Sequence, residues 1–517
     1  MKNITYDIPK QSLKEDDFGW APIVNRISDL IIHQSEEHHS CFTIGIYGKW
    51  GEGKTSLMNM VCDNLKEDKR INIIRFNPWL FKDQESLLLD FFKTLQSGIT
   101  NKKVVEKIKK YGPLVSIGIS GLLNLALPGA GSLLKGSLDQ VVDAVSEIKF
   151  DLTSLKEEVD KCIKLSKQQY LIIIDDVDRL DKEELHTLFK LIRQNADFVN
   201  TTYMIGMDVD MVAKSIGNRF ECGDEKSGKN FLDKIIQVPF YVPKIQQGHL
   251  NRMLNSLLLQ KIEPLLSVSG KRTTTLDEIN ETINRYVSPL FNSAREIKVY
   301  INSLTFILPL VYKDVNISDL CLLEAIKLFH PNGYNIIRKN KLIITDSLEP
   351  SFKDINESAE IKQQKREKFI EKLFENLDSD KSIYLKGITE KLLGPFISPS
   401  YNGRVSKLSE KSICSSHYFD NYFYYTIPED VISDDETERL IEDLSTISQD
   451  DLIKRFEYYY QSYGIDELKR VVFLIIYMKN FYNINNDSIG LMCVALTRLS
   501  LNDTRKYYTE SEVGIHI

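Results

Sequence analysis

The stretch Gly48-Lys49-Trp50-Gly51-Glu52-Gly53-Lys54-Thr55 constrains the fold of this 517-residue chain more than any other segment. It fits the pattern G-x-x-x-x-G-K-[ST], and each residue type follows from the task of cradling a polyphosphate. Glycines let backbone N–H groups turn inward with no Cβ in the way. Lys54 brings positive charge to the β- and γ-phosphates, and Thr55 offers a hydroxyl to Mg²⁺. A helix beginning at this point aims the positive end of its dipole at the anion. The flanks agree with that reading. Phe42–Tyr47 reads as a buried strand, and Leu57, Met60, Val61 and Leu65 then recur at helical spacing.

A second element completes the pattern. Tyr170–Ile174 is a continuous apolar run, as expected of a central parallel strand covered on both faces. It ends in Asp175-Asp176, followed by Val177-Asp178-Arg179-Leu180. Carboxylates at the carboxyl end of such a strand face the ligand crevice of an open α/β sheet. Asp175 is the candidate Mg²⁺ ligand alongside Thr55. Asp176, or else Asp178, is the candidate for polarising an attacking water.

Composition narrows the class. The formal net charge of −7 gives no global basic field for nucleic acid. The seven cysteines form no C-x-x-C pair and read as reduced thiols, mostly core filler. Met1–Lys14 is polar and lacks the apolar core of a secretory leader, so a cytoplasmic location is expected. From Tyr111 to Leu134 no residue is charged. Lys54 and Asp175 must meet one nucleotide on one side of any membrane, so a single crossing between them is excluded. Two crossings need roughly 40 apolar residues. Residues 111–134 are therefore expected to pack internally or against a partner, with contact to a membrane surface as the alternative to packing.

The order of patterns predicts an α/β core with a parallel sheet, built from residues 1–80 and 166–245. Strands are expected at Phe42–Tyr47, Ile71–Phe76, Tyr170–Ile174, Tyr203–Met207 and Ile235–Phe240. Residues 81–165 read as a helical insertion between the two nucleotide motifs. Residues 246–395 read as a helical lid region, and 396–517 as a helical, aromatic-rich partner domain. Gly394-Pro395, Ser398-Pro399-Ser400 and Asn402-Gly403 suggest a linker. The charged stretch 361–372 reads as a solvated helix face. The aromatic run His417–Tyr425 reads as packing rather than base stacking, since basic residues are scarce there. Phe18 and Trp20 either flank a base or simply pack.

Taken together, these segments resemble the KAP family of P-loop NTPases, relatives of the STAND signalling ATPases. Gly48–Ser56 looks like that family's tryptophan-bearing Walker A, and Phe76-Asn77-Pro78-Trp79 is similar to its motif after the second strand. Ile174–Leu180 looks like its Walker B, Phe231–Phe240 like its late-strand signature, and Ala294–Asn302 like its sensor-2 helix. The five motifs occur in order over roughly residues 10–335. Many members carry two or four membrane spans between Walker A and Walker B, whereas the insertion here holds one short apolar stretch.

The resemblance implies an ATP- and Mg²⁺-dependent hydrolase. Gly48, Trp50, Gly51, Glu52, Gly53, Lys54, Thr55 and Ser56 are the expected nucleotide-binding set, Thr55 and Asp175 the metal set, and Lys54, Asp176 and Arg295 the catalytic set. Arg295 would reach the γ-phosphate, unless it pairs with a nearby acid such as Glu296. Asp208 is either a sensor or a helix N-cap. Arg179 and Arg219 are candidates for a finger acting in trans. The expected partners are further copies of the chain or a separate effector protein, in the setting of a bacterial anti-phage operon. Sequence-specific nucleic acid is not expected.

Overall fold

The computed structural model describes residues 4–37, 40–80, 84–111, 156–217, 224–267, 276–345, 359–375, 380–397, 411–416, 418–425, 434–465 and 484–498, with residues 154, 377, 432, 467–468, 471–472 and 475. Residues 112–134, nearly all of the uncharged stretch, lie outside the described residues, as do Arg219 and His417. Among the described residues, no helix is long and apolar enough to cross a membrane.

Two compact units divide the chain. One comprises Asp7–His249 with Ser293–Arg295, and the other Met1–Tyr6, Leu250–Asn292 and Glu296–Ile517. The first unit holds a parallel sheet of five strands: β1 (Phe42–Tyr47), β2 (Ile71–Phe76), β3 (Gln169–Ile174), β4 (Thr201–Met207) and β5 (Val238–Tyr241). Their order is β2-β3-β4-β1-β5. Of the three interior strands, β3 and β4 are buried at every position and β1 at all but its first, as apolar runs predict. The edge strand β5 alternates between half-buried and exposed positions.

Period-two alternation sorts each strand's side chains between two cores. Ile44, Ile46, Leu171, Ile173 and Met204 face one side, with Trp20, Val24, Ile27 and Ile31 and the helix Lys54–Leu65. Tyr170, Ile172, Ile174, Tyr203 and Ile205 face the other. There they meet helices Gln84–Gly98, Lys182–Lys190 and Val209–Gly217. The described parts of the insertion belong to this second core. Val104, Ile108 and Tyr111 from helical residues 102–111, and Val159 and Ile163 from helical residues 156–166, are buried in it. The Tyr111 hydroxyl donates to the Asn195 carbonyl at 2.7 Å.

The last strand begins three residues later than expected. Ile235 and Ile236 are buried, but their N–H groups bond the Leu232 carbonyl in a turn, and the ladder starts beyond it.

Among the described residues of the second unit, the regular elements are all helices, joined by turns. Buried Asp319 organises one part of it, accepting from the Ser412 hydroxyl at 2.8 Å and the Ile413 amide at 3.2 Å. Tyr418, Phe419, Tyr422 and Phe423 are buried, so most of the described part of the aromatic run packs, while Tyr424 is exposed. The stretch 361–372 lies in the helix Ala359–Leu373, mostly exposed with Phe369 turned inward. The expected linker starts later than its Gly-Pro pair suggested. Gly394–Ile397 is a short helix with Phe396 buried, and 398–410 lie outside the described residues.

Candidate nucleotide site

The glycine loop leaves β1 at its carboxyl end, where the Gly48 amide donates to the Met207 carbonyl of β4 at 3.2 Å. The Glu52 carboxylate closes the loop by accepting from the Lys49 amide at 2.7 Å. Two glycines carry the turn, Gly51 at φ 86° and Gly53 at φ 96°, a region that L side chains avoid. Gly53 also lies against a buried ring. A Cβ there would stand 2.6 Å from Trp20 Cη2. Trp20 is 4% exposed and forms the floor beneath the loop, so of the two readings for this side chain the structure takes packing.

Gly53 is the N-cap of the helix Lys54–Leu65, and no side chain caps that helix. Its first-turn N–H groups and dipole are therefore available to an anion rather than spent on a serine or aspartate. Lys54 is buried, and its Nζ donates to the Gly48 carbonyl at 2.8 Å and the Lys49 carbonyl at 3.3 Å. The ammonium group thus lies along the loop.

The metal-ligand candidates meet. Thr55 Oγ1 donates to Asp175 Oδ2 at 2.6 Å across 120 residues of sequence. Burial pushes the Asp175 carboxyl above its ordinary range, and hydrogen bonds from Thr55 and the Asp176 amide offset this only in part. A site that raises the cost of a bare carboxylate is one that favours a cation beside it. Gly206 makes the contact possible from the intervening strand, since a Cβ there would lie 2.6 Å from Asp175 Oδ1 and 2.7 Å from Met58 Cε. Gly206 leaves only a faint local signal, a glycine inside an otherwise apolar strand.

Asp176 adopts a left-handed backbone, φ 57° and ψ 33°, uncommon for a non-glycine residue. Its carboxylate pairs with Arg179 Nη2 at 3.1 Å. The Arg179 guanidinium sits 5.0 Å from the Trp50 ring centre and 4.8 Å from that of Trp79. Both indoles are more than half exposed. The buried Oδ1 of Asp178 has no hydrogen-bond partner among the described residues.

Arg295 lies 5.5 Å from the Trp50 ring centre, and its Nε donates to Asp7. The expected acid was Glu296. That side chain instead accepts from the Asn292 amide at 2.6 Å. Arg295 also flanks Gly51, whose Cβ would lie 3.1 Å from its own. Ser56 turns away from the loop, its hydroxyl accepting from the Lys10 amide at 3.1 Å. Asp208 takes the N-cap reading, its Oδ1 accepting from the Asp210 and Met211 amides at 3.2 and 3.3 Å.

The donor set fits a nucleotide with a divalent cation: a glycine-turned loop leading into an uncapped helix N-terminus, one buried ammonium, and a hydroxyl–carboxylate pair. Among the described residues, no cluster of three His, Cys, Asp or Glu side chains could hold a metal by protein ligands alone. A cation here would need phosphate oxygens and water to complete its shell, as Mg²⁺ ordinarily does.

Known proteins place this arrangement. The Phage T7 exclusion protein of Escherichia coli (strain K12) is 26% identical over 355 residues, spanning 64% of this chain and 47% of that protein. The chain thus matches about half the length of that relative. Among solved structures, the Aeropyrum pernix ORC1 protein in complex with DNA aligns at 12% identity over 73% of this chain and 84% of that one, with a TM-score of 0.30. Cdc6p from Pyrobaculum aerophilum aligns at 14% over 72% and 86%, with a TM-score of 0.31. At those TM-scores neither likeness bears on function. The model of the KAP family P-loop domain matches residues 20–311, more than half of the chain and every element of the site, and the chain belongs to that family.

Proposed function

We propose that the chain binds and hydrolyses ATP with Mg²⁺ and uses nucleotide state as a switch. The observation that carries this reading is the 2.6 Å contact between Thr55 and Asp175, made beside the glycine cradle. Bound ATP·Mg²⁺ would supply the transferable phosphoryl group and the cation that neutralises it. The chain's residues do the rest. Backbone N–H groups from Gly51 to Thr55 hold the phosphates, and Lys54 swings from the loop carbonyls to meet their charge. Thr55 and Asp175 hold the metal, and Asp176 orients water. Arg295 offers a guanidinium next to the loop. It stands at the start of the helix Ala294–Val311, so a change at the phosphates has a continuous element on which to act. Likeness to a phage exclusion protein supports a role in anti-phage defence.

One observation favours a second reading, an ATP-loaded assembly subunit that recruits a separate effector and hardly hydrolyses. Asp176, the proposed water-orienting group, is already engaged by Arg179. Phosphate release from wild type, Lys54→Ala and Asp176→Asn, with assembly size by light scattering with and without ATP, separates the two. Hydrolysis that survives both substitutions removes the enzyme reading. No hydrolysis with ATP-dependent assembly selects the second. Plating of phage T7 on cells expressing wild type or Lys54→Ala tests the defence role.

A further inference from the structure

A cavity of about 560 Å³ lies in the nucleotide unit, lined by His186, Phe189, Lys190, Arg193, Phe231 and Lys234 together with Gln194 and Ile235. Its size falls within the range of small-ligand sites. It is remote from the phosphate cradle. Arg193 and Ile235 also line an adjoining cavity of about 330 Å³, whose wall includes Cys41 and Thr43 at the amino end of β1, whereas the cradle leaves β1 at its carboxyl end.

The charge of the lining is one-sided. Lys190, Arg193 and Lys234 contribute three cations, His186 a titratable ring, and no carboxylate takes part. Among the described residues none of the three cations forms an ion pair. The chain as a whole carries a net charge of −7, so this is a local reversal of sign. Three like charges around one concavity repel each other, and an anion relieves that repulsion. Lys190 alone is explained as a cation in the last turn of the helix Lys182–Lys190. That account does not reach Lys234, which comes from another segment.

The backbone contributes a second observation. At Leu191–Asn195 the helix continues as a π-turn, which places both Arg193 and Gln194 on the cavity wall. Such turns recur at functional sites, and two others among the described residues are Leu258–Ile262 and Ile283–Val287. The rest of the lining is largely apolar and aromatic. Phe189 and Ile235 are buried, and the Phe231 ring stacks on His186 with centres 5.7 Å apart and planes at 27°. A planar apolar group can pack against these side chains while its charged end meets the guanidinium and the two ammonium groups.

We propose that this cavity binds a small organic anion built of a flat ring and a phosphate or carboxylate head. The test uses the full-length chain with phenyl phosphate and benzoate as probes, and phenol and inorganic phosphate as half-ligands, by saturation-transfer NMR and calorimetry. At least one ring-bearing anion should bind about tenfold or more tighter than either half-ligand, and added salt should weaken it. Arg193→Gln with Lys234→Gln should weaken binding about tenfold or more, while Lys54→Ala should leave it unchanged. Both substituted positions are exposed, and Arg193→Gln alone stands in if the double variant does not fold. A preference between the probes assigns the head group. The proposal is overturned if neither ring-bearing anion binds wild type, if the double variant binds as wild type does, or if only Lys54→Ala abolishes binding. Binding of an acidic peptide but of neither small probe overturns it in favour of a protein-docking face.

Discussion

Three glycines with similar positive φ allow the cost of the phosphate loop to be separated into strain and collision. Gly19, Gly51 and Gly53 have φ of 76°, 86° and 96°. Alanine at any of them would sit in left-handed space, at a cost of about 1–2 kcal/mol. Their surroundings differ. A Cβ at Gly19 meets nothing within 4 Å. At Gly51 it meets the Arg295 side chain, Cβ at 3.1 Å and Cδ at 3.2 Å, and the flexible part of that chain can yield. At Gly53 it meets Trp20 at 2.6 and 3.0 Å, and that indole is fixed by the core around Val24, Ile27 and Ile31. Forcing an extra carbon against a packed ring adds about 1–3 kcal/mol. Gly53→Ala should therefore cost about 2–5 kcal/mol, Gly19→Ala about 1–2, and Gly51→Ala a value near the lower one. For a unit of this size each kcal/mol lowers the melting temperature by about 2–4 °C. Scanning calorimetry of the three variants, following the transition stabilised by added nucleotide, reads the order directly. A Gly53→Ala melting temperature equal to that of Gly19→Ala would refute the claim that Trp20 is a rigid floor. The same variant should also bind nucleotide more weakly, because a loop that clears the ring must shift its N–H groups off the phosphates.

Other consequences are equally direct. Burial holds the Asp175 carboxyl above its ordinary value of 3.8, so the folded state keeps that proton longer than the unfolded chain does. The associated stability is fully present below 3.8 and is lost as pH rises through the folded value. Asp175→Asn without nucleotide should accordingly melt above wild type at neutral pH, with the gap closing as pH falls to about 4, and should lose stabilisation by Mg²⁺ with nucleotide. A lower melting temperature at neutral pH would contradict this. Burial also pushes the thiols of Cys41 and Cys321 up to about 12 and that of Cys62 to about 11. Iodoacetamide at mildly alkaline pH should label exposed Cys493 and spare those three, as peptide mass spectrometry can check. Rapid labelling of Cys321 in folded protein would count against the packing described.

Much of the site is legible in the sequence because its signals are local. A glycine loop between an apolar run and a helical period fixes β1, the cradle and the following helix. An apolar run ending in two aspartates fixes β3. Contacts between distant segments leave no such trace. Nothing local pairs Arg295 with Asp7 or stacks Arg179 between Trp50 and Trp79. The role of Gly206 follows only from β4 lying between β1 and β3. The misplaced start of β5 has a different cause. Ile235 and Ile236 are as apolar as strand residues because they too are buried, and composition cannot tell a buried turn from a ladder.

Several of these features meet at the backbone of Asp176. Its amide donates to Asp175 Oδ1 at 2.9 Å, leaving Oδ2 of the same carboxylate for Thr55. Directly after the strand Asp176 turns left-handed, and its carboxylate pairs with Arg179, whose amide donates to the Asp176 carbonyl at 3.2 Å. The strain is of order 1–3 kcal/mol, while a partly exposed ion pair returns only about 0–1. The conformation is therefore held by the backbone turn it opens, whose Asp176 carbonyl accepts from the Arg179 amide, and not by the side-chain ion pair. Glycine at 176 should relieve the strain while losing the pair, and melt within about 1 kcal/mol of wild type. Valine, which tolerates left-handed backbone poorly, should cost more than about 2. Denaturation midpoints decide the matter. If Asp176→Gly is as unstable as Asp176→Val, the side-chain ion pair, not the backbone turn, holds the carboxylates in place.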